Sequence, residues 1–589
     1  MRRIAFPRLA AWGTRTIAVV SLASALTRAE PARLRLLTRV VPAALTHVAA
    51  AATTLGGVLL LLLAHGLARR KRRAFVAVVV LLAVVNVLQV VKGLDIEEAT
   101  AGAVLLALLL RHRSDFTAQS DPRTRWVVVK AAAFLLGTNL VVGFVLVRLH
   151  FDGATGMPSL YEQVEQVLLG MVGIGGPLRF DTDTDSDVVS FTLAGLGIVT
   201  ALVTTYLALR PAEPPPVLTA EDEAGLRGLL DRHGDDDSLG YFNLRRDKSV
   251  VWAPSKKAAV AYRVVNGVAL VSGNPMGDPE AWPQAVSALR ALADAHAWAP
   301  AVLGCGERAG RVWARAGLDV LEIGDEAVLD VADFTLEGRA MRTVRQAVVR
   351  IERAGYTCRV RRTAELTEVE RDALRAAVGR WRSSDTEHGF SMALGRFGEP
   401  EDGRSLLVEA LQDGELRAVL HFVPWGQGGL SLDVMRRDRA ADNGLNEFLI
   451  VSTLRAAGTL GVERISLNFA VFRHALAAGE RLGAGPLLRA WRGMLLFVSR
   501  WFQIDSLYRF NAKFCPTWEP RYLCYPGTSA MPRVVLAALE AEAFIAWPRL
   551  RRIRDWGSPT RRQPQPVDPR VIGCGRSTSS ASGQGTRST

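Results

Sequence analysis

The chain reads as a multi-domain protein, an all-α transmembrane bundle followed by a soluble α/β region. Three observations carry that expectation. Apolar runs long enough for helical spans crowd the first 210 positions, a stiff EPPP segment at 213–216 follows Arg210, and beyond it short apolar strands alternate with helical stretches. A mean hydropathy of +0.15 beside 22% charged residues fits such a mixture, and 589 residues exceed what one core holds.

Spanning a bilayer takes about 20 apolar residues. Candidate spans lie near 9–26, 44–67, 74–91, 96–110, 126–148 and 188–209, the fourth weakened by Glu97 and Glu98 at its mouth. The RRKRR loop at 69–73 and the cationic 111–125 loop belong on the cytoplasmic side by the positive-inside rule, and the acidic turns at 95–98 and 181–187 outside. Six spans then put both termini and the soluble region in the cytoplasm. Arg28, Arg33, Arg35 and Arg39 dissent, being basic on the outer side. No small-residue cleavage site ends the first apolar run, so a cleaved signal peptide is not expected.

Boundaries follow from composition: a membrane domain at 1–210, a linker at 211–217, one α/β half with its joining helix at 218–354, a second at 355–531, a closing amphipathic helix at 532–556 and a disordered tail at 557–589. Strands of the first half are expected at 250–252, 258–263, 268–273, 301–304 and 320–323, with a helix at 282–296. The second half has strands at 358–361, 405–411, 416–423, 430–435 and 464–468, and helices at 367–383 and 445–460. A helix at 336–354 joins the halves.

The net charge of +14 and a pI near 10 imply attraction to polyanions, anionic lipid or RNA. All five cysteines follow the membrane region and lack metal-ligand spacing, so reduced thiols and no metal site are expected, a Cys515–Cys524 pairing being the alternative. GxSxG, HExxH and Walker motifs are missing from the sequence, which removes support for serine hydrolase, zincin and P-loop chemistry.

Four constellations remain. The stretch 507–527, LYRFNAKFCPTWEPRYLCYPG, packs Arg509, Lys513 and Arg521 among Tyr508, Phe510, Phe514, Trp518, Tyr522 and Tyr525, which suits a phosphate-bearing ligand with apolar surface. Arg339, Arg342, Arg345, Arg350 and Arg353 form a basic ridge, either a surface that tracks phosphates or a solvated face partnered by Glu337 and Glu352. Asp433, in LSLDVMRR, leaves an otherwise apolar strand and needs a partner or a task; Arg436 would share its face only if the strand bulges or ends near Met435. Asn468 in SLNF ends another apolar strand. Glu387 and His388 sit in a polar loop with Gly389 and Gly395 that can fold over a ligand, although a loop histidine is more often inert.

The series EHGFSMALGRF, LSLDVMRRD, SLNFAVF and LYRFNAKFCPTWEPRYLCYP resembles the catalytic domain of the phosphatidylglycerol lysyltransferases, the multiple-peptide-resistance-factor type of aminoacyl-phosphatidylglycerol synthase. LGYFNLRRDKSVVW, VALVSGNPMGDP and LEGRAMRTVRQAVVRIERAGY are similar to its first half, so the likeness runs over about 239–526, nearest the actinobacterial branch that can carry a fused lysyl-tRNA synthetase. The resemblance implies tandem acetyltransferase-like (GNAT) folds that move an aminoacyl group, lysyl by default, from aminoacyl-tRNA to a hydroxyl of phosphatidylglycerol. It implies no cofactor beyond the aminoacyl-tRNA co-substrate, a separate synthetase to supply it, and resistance to cationic antimicrobial peptides. Residue by residue the family's functional positions match Asp433, Arg436, Lys513 and the loop carboxylate Glu387. Joined to the reading of the residues themselves, the expectation is Asp433, Arg436 and Glu387 as catalytic, Arg436, Lys513 and Arg509 as lipid-phosphate ligands, Asn468 and Tyr508 as further pocket residues, and the five-arginine ridge as the tRNA contact. Some six spans, fewer than the larger family members have, put autonomous lipid flipping in doubt. The rival expectations are an acetyl-CoA-dependent acetyltransferase, for which RAADNG at 439–444 lacks the glycine pattern, and a non-catalytic transporter or scaffold.

Overall fold

A computed structural model of the chain describes residues 5–26, 43–93, 96–118, 124–150, 158–178, 180, 183–209, 213–382, 389–471 and 504–545. The amino-terminal part is helical: α1 (Ala5–Leu26), α2 (Ala43–Ala68), α3 (Arg72–Gly93), α4 (Ile96–Arg111), α5 (Thr124–His150), α6 (Leu160–Met171) and α7 (Asp183–Leu209). Each expected apolar run lies in a helix. Among the described residues, the segments Arg72–Val90, Val128–His150 and Asp185–Ala208 are long and apolar enough to cross a membrane. Helix α4 has 16 residues, short for a span, and α6 was not anticipated. With 12 residues, a Ser159 capping box and Gln163 and Gln166 turned inward, α6 packs against both α5 and α7, which also pack on each other.

Among the described residues, those beyond the linker are built on one 12-stranded sheet. Its strands are β1 (Ser249–Trp252), β2 (Ala258–Val265), β3 (Val268–Ser272), β4 (Met276–Gly277), β5 (Ala299–Cys305), β6 (Asp319–Asp330), β7 (Tyr356–Arg362), β8 (Leu406–Gln412), β9 (Glu415–Trp425), β10 (Gly429–Arg437), β11 (Arg464–Val471) and β12 (Thr517–Tyr525). The order across it is β1-β2-β3-β5-β12-β6-β11-β10-β9-β8-β7, with β4 beside β2. Each half contributes one parallel pair joined by a crossover helix, β3 to β5 through α9 and β10 to β11 through α13. The helices are α8 (Ala220–His233), α9 (Trp282–His296), α10 (Glu307–Arg315), α11 (Arg342–Arg353), α12 (Glu368–Arg380), α13 (Leu445–Ala457), α14 (Ile504–Ala512) and α15 (Met531–Ala541).

The halves are interleaved. Strand β12, late in the chain, lies between β5 and β6 of the first half, and β6 pairs with β11 of the second. Pro520 falls where β12 pairs with β6 alone, before β5 joins at Tyr522, the kind of one-neighbour position where a strand tolerates a residue lacking an N–H. At this seam Arg521, 3% exposed, donates from Nε to Glu326 at 2.9 Å, from Nη1 to Asp237 at 2.8 Å and from Nη2 to Ser238 at 2.7 Å. Burial alone would lower its pKa, but Glu326 and Asp237 hold it above the ordinary guanidinium value. Asp237 also accepts the Asn274 amide at 2.7 Å, and there Gly273 at φ 66° leaves no space for a side chain, since a Cβ would stand 2.6 Å from the Asp237 carboxylate.

Helix α15 is the closing helix, and it is embedded rather than laid on a surface. Val534, Ala537 and Ala541 share a core with Leu226, Leu270, Leu303, Phe390 and Leu523. The described cysteines are free; Cys515 is exposed, and buried Cys524 has Cys305 as its neighbour at 3.5 Å. Cys574 lies outside the described residues.

Candidate active site

Strands β10 and β11 pair only over Gly429–Arg464, Leu430–Ile465 and Ser431–Ser466, then part. Both are irregular at the fork. The register of β10 against β9 slips between Leu432 and Val434, and that of β11 against β6 slips between Ser466 and Phe469, with Asn468 at φ 67°. The slip puts two consecutive residues, Asp433 and Val434, on the side of the sheet covered by α12. Val434 packs with Leu374 and Val378 there, and Arg436 donates to the Val378 carbonyl at 3.1 Å. A bulge does place Asp433 and Arg436 on one face, at Asp433 itself rather than near Met435.

Both oxygens of Asp433 are engaged. Oδ1 accepts the Leu394 amide at 2.7 Å, and Oδ2 lies 2.7 Å from Nδ1 of His421 on β9. The two side chains are 1% and 0% exposed. A carboxylate only accepts, so Nδ1 carries the proton and Nε2 is left an acceptor. Among the described residues Nε2 has no hydrogen-bond partner, and neither has Oδ1 of Asn468, whose Nδ2 donates to the Leu432 carbonyl. Two buried acceptors without a donor among the described residues thus flank the Asp433 bulge, an arrangement that can receive donors from a ligand. Phe397 stands edge-on to the imidazole with ring centroids 5.1 Å apart.

Helix α14 is tied to the fork by Asn511, which donates to the Leu467 carbonyl at 3.4 Å. Just beyond it, Lys513 pairs with Glu447 in the first turn of α13 at 2.8 Å, and Nζ lies 5.3 Å from the Phe510 ring centre. Tyr508 packs against Trp518 at 5.0 Å, and Arg509 is exposed. Of the three cations in the 507–527 stretch, Arg521 is therefore a structural ion pair, while Lys513 and Arg509 face outward. Glu387 and His388 lie outside the described residues.

The ridge divides. Arg345 donates to the Leu336 carbonyl and Arg350 to the Asn443 carbonyl at 2.6 Å, so both fasten the fold. Arg339, Arg342 and Arg353 are exposed and, among the described residues, have no side-chain partner. Glu352 pairs with Arg455, not with the ridge. In the 438–444 turn before α13, the amides of Ala440, Ala441 and Asp442 are spent on Asp438 Oδ1, the Asp438 carbonyl and the Tyr356 hydroxyl.

His421 escaped the sequence reading. In LHFV it looks like one polar residue in a buried strand, and only the pairing of β9 with a bulged β10 brings it to Asp433.

Residues 227–525 match the family model described as phosphatidylglycerol lysyltransferase, C-terminal. A lysylphosphatidylglycerol biosynthesis bifunctional protein of Mycolicibacterium vanbaalenii is 43% identical over 454 residues, covering 76% of this chain and 40% of the relative. The protein of the same name from Mycobacterium tuberculosis is 46% identical over 417 residues, covering 71% of the chain and 33% of the relative. The chain thus spans 40% or less of the length of these relatives. Among solved structures, that of L-PGS from Bacillus licheniformis aligns with 56% of this chain and 98% of its own at 22% identity and a TM-score of 0.49.

Proposed function

This chain belongs to the phosphatidylglycerol lysyltransferase C-terminal family, and we propose that it transfers a lysyl group from lysyl-tRNA to a hydroxyl of phosphatidylglycerol at the cytoplasmic face of a membrane. The observation that carries the reading is the pair of orphaned acceptors, Nε2 of His421 and Oδ1 of Asn468, on either side of Asp433. A lipid glycerol brings a hydroxyl donor and an aminoacyl group brings an ammonium donor, which is what two empty acceptors require.

The reaction exchanges one ester for another. His421 Nε2 takes the proton of the attacking hydroxyl as its oxygen bonds to the aminoacyl carbonyl carbon; the tetrahedral intermediate then expels the ribose oxygen, which receives that proton. Asp433, with both oxygens already bound, acts on His421 by fixing its tautomer and balancing the imidazolium charge. Asn468 Oδ1 receives an ammonium hydrogen. Arg436, Lys513 and Arg509 are assigned to the lipid phosphate, with Tyr508 beside them, and Arg339, Arg342 and Arg353 to the acceptor phosphates of the tRNA, charged by a separate synthetase. Glu387 is assigned to the amino groups of the lysyl moiety. No ATP, metal or further cofactor enters the chemistry.

The product replaces an anionic headgroup with one of net positive charge, so a membrane enriched in it attracts cationic peptides less. Both termini are assigned to the cytoplasm with a multi-pass helical domain between them and the soluble region. An acetyl-CoA reading is disfavoured because the three turn amides before α13 are already hydrogen-bonded and Glu447 occupies the first helical turn, opposite to what a pyrophosphate needs. Expression in a host lacking aminoacylated lipids, followed by lipid extraction, tests the proposal. A ninhydrin-positive phosphatidylglycerol derivative containing lysine is expected, and folded protein without any such lipid would refute it.

A further inference from the structure

The Leu394 amide that holds Asp433 belongs to a segment, 389–396, fastened at almost every residue to parts of the chain remote in sequence. Its first amide, Gly389, donates to the Glu542 carbonyl at 3.3 Å. Phe390 N and Ser391 N donate to the Glu542 carboxylate at 2.7 and 3.1 Å, and the Ser391 hydroxyl donates to it at 2.5 Å. Arg245 donates to the carbonyls of Gly389 and Ala393. The far end is held by Arg396, which reaches Glu223 at 2.9 Å and Asp402 at 3.1 Å. Glu542, 7% exposed, sits just past the end of α15, 152 residues from Phe390.

A buried carboxylate that takes both amides and the hydroxyl of one short segment leaves that segment little freedom. The charged groups around it are Lys248, whose Nζ lies 4.6 Å over the Phe390 ring and whose charged form Glu542 favours, and Arg245. Nothing in the chemistry proposed above uses Glu542. Its effect on the reaction runs through the strap: Glu542 fixes Phe390 and Ser391, the strap delivers the Leu394 amide, and that amide and His421 are the only partners of the Asp433 carboxylate among the described residues.

We propose that Glu542 is a positioning residue for the Asp433–His421 pair, so that helix α15, beyond the catalytic half in sequence, is part of the machinery of transfer. This inference rests on the functional reading above. Replacement by Gln keeps the size but turns one acceptor into a donor facing an N–H group, loosening the strap without emptying the core.

The test is a double-mutant cycle on the full chain in phosphatidylglycerol vesicles supplied with lysyl-tRNA, with the folded fraction measured for each variant. Glu542→Gln is expected to lower kcat about 10-fold or more per folded molecule, with KM for both substrates within about 2-fold of the parent, and Glu542→Asp to recover part of the loss. The losses from Glu542→Gln and His421→Gln should not multiply, because once the imidazole is gone its orientation no longer matters. Parental kcat in Glu542→Gln overturns the proposal, as does full multiplicativity with His421→Gln or a loss that merely follows the folded fraction. If the functional reading itself were wrong, the folded parent would transfer no lysine to lipid and there would be no kcat to lower; transfer by the parent that Glu542→Gln leaves unchanged is failure of the positioning proposal alone, which separates the two failures.

Discussion

The Asp433 carboxylate and the His421 imidazole form a buried pair 2.7 Å apart, contributed by adjacent strands from positions 12 residues apart in the chain. His421 Nε2, which has no hydrogen-bond partner among the described residues, is the proton acceptor in the proposed reaction. Positioned general bases contribute roughly 10²–10⁴-fold to rate, so His421→Ala and Asp433→Asn should each lower kcat for lipid lysylation by about that range. Asp433→Asn removes the buried charge and should keep the thermal midpoint near the parent's, whereas His421→Ala leaves the Asp433 carboxylate buried without its ring partner and should lower the midpoint, so its kcat is read per folded molecule.

The arginine ridge makes a separable prediction. Changing Arg339, Arg342 and Arg353 to Ala should raise KM for lysyl-tRNA, leave KM for lipid unchanged and flatten the salt dependence of tRNA binding by about two units of log–log slope, at ~0.7–0.9 per phosphate contact. The same change at Arg345 and Arg350 should instead lower stability, because those side chains hold the Leu336 and Asn443 carbonyls. Filter binding at several salt concentrations decides between the two outcomes.

At the seam, Arg521→Met leaves Glu326 and Asp237 buried without their counter-ion and should destabilise the protein by about 3–5 kcal/mol. Neutralising the carboxylates as well, in Arg521→Met with Glu326→Gln and Asp237→Asn, should restore part of that loss. Denaturant midpoints of the single and triple variants give the comparison.

Lys248 supplies a pH dependence. Burial and the neighbouring Arg245 push its amine from the ordinary lysine value down to about 7, while its Nζ bonds the Phe242 carbonyl, Asn243 and Ser272. Between that value and the ordinary one near 10.5, the unfolded chain binds the proton that the folded chain does not, so this group makes stability rise with pH there and contributes no slope below about 7. The thermal midpoint should climb less steeply between pH 7 and 9 in Lys248→Met than in the parent, although the variant is weaker throughout from its lost hydrogen bonds.

Much of this organisation is written locally. The apolar runs, the EPPP break and the alternation beyond it report helices and strands because each needs only neighbouring residues to be recognised. Asp433 and Asn468 stand out for the same reason, as polar residues in apolar strands. Strand β12 does not, because its aromatic and cationic run with Pro520 resembles a ligand surface, and its partners lie far away: Arg521 is 195 residues from Glu326 and 284 from Asp237. His421 and Glu542 are invisible for a related cause. Their roles come from a register slip in β10 and from a helix folded back onto the first half, and no local pattern encodes either.

Transfer itself is the claim on which the rest depends. Purified chain in phosphatidylglycerol vesicles, given tRNA charged with radiolabelled lysine and no acetyl-CoA, should move the label into the organic phase, and Asp433→Ala should abolish that movement at equal folded protein. Label that stays with the RNA when the parent protein is folded, or an Asp433→Ala variant that transfers as well as the parent, would contradict it.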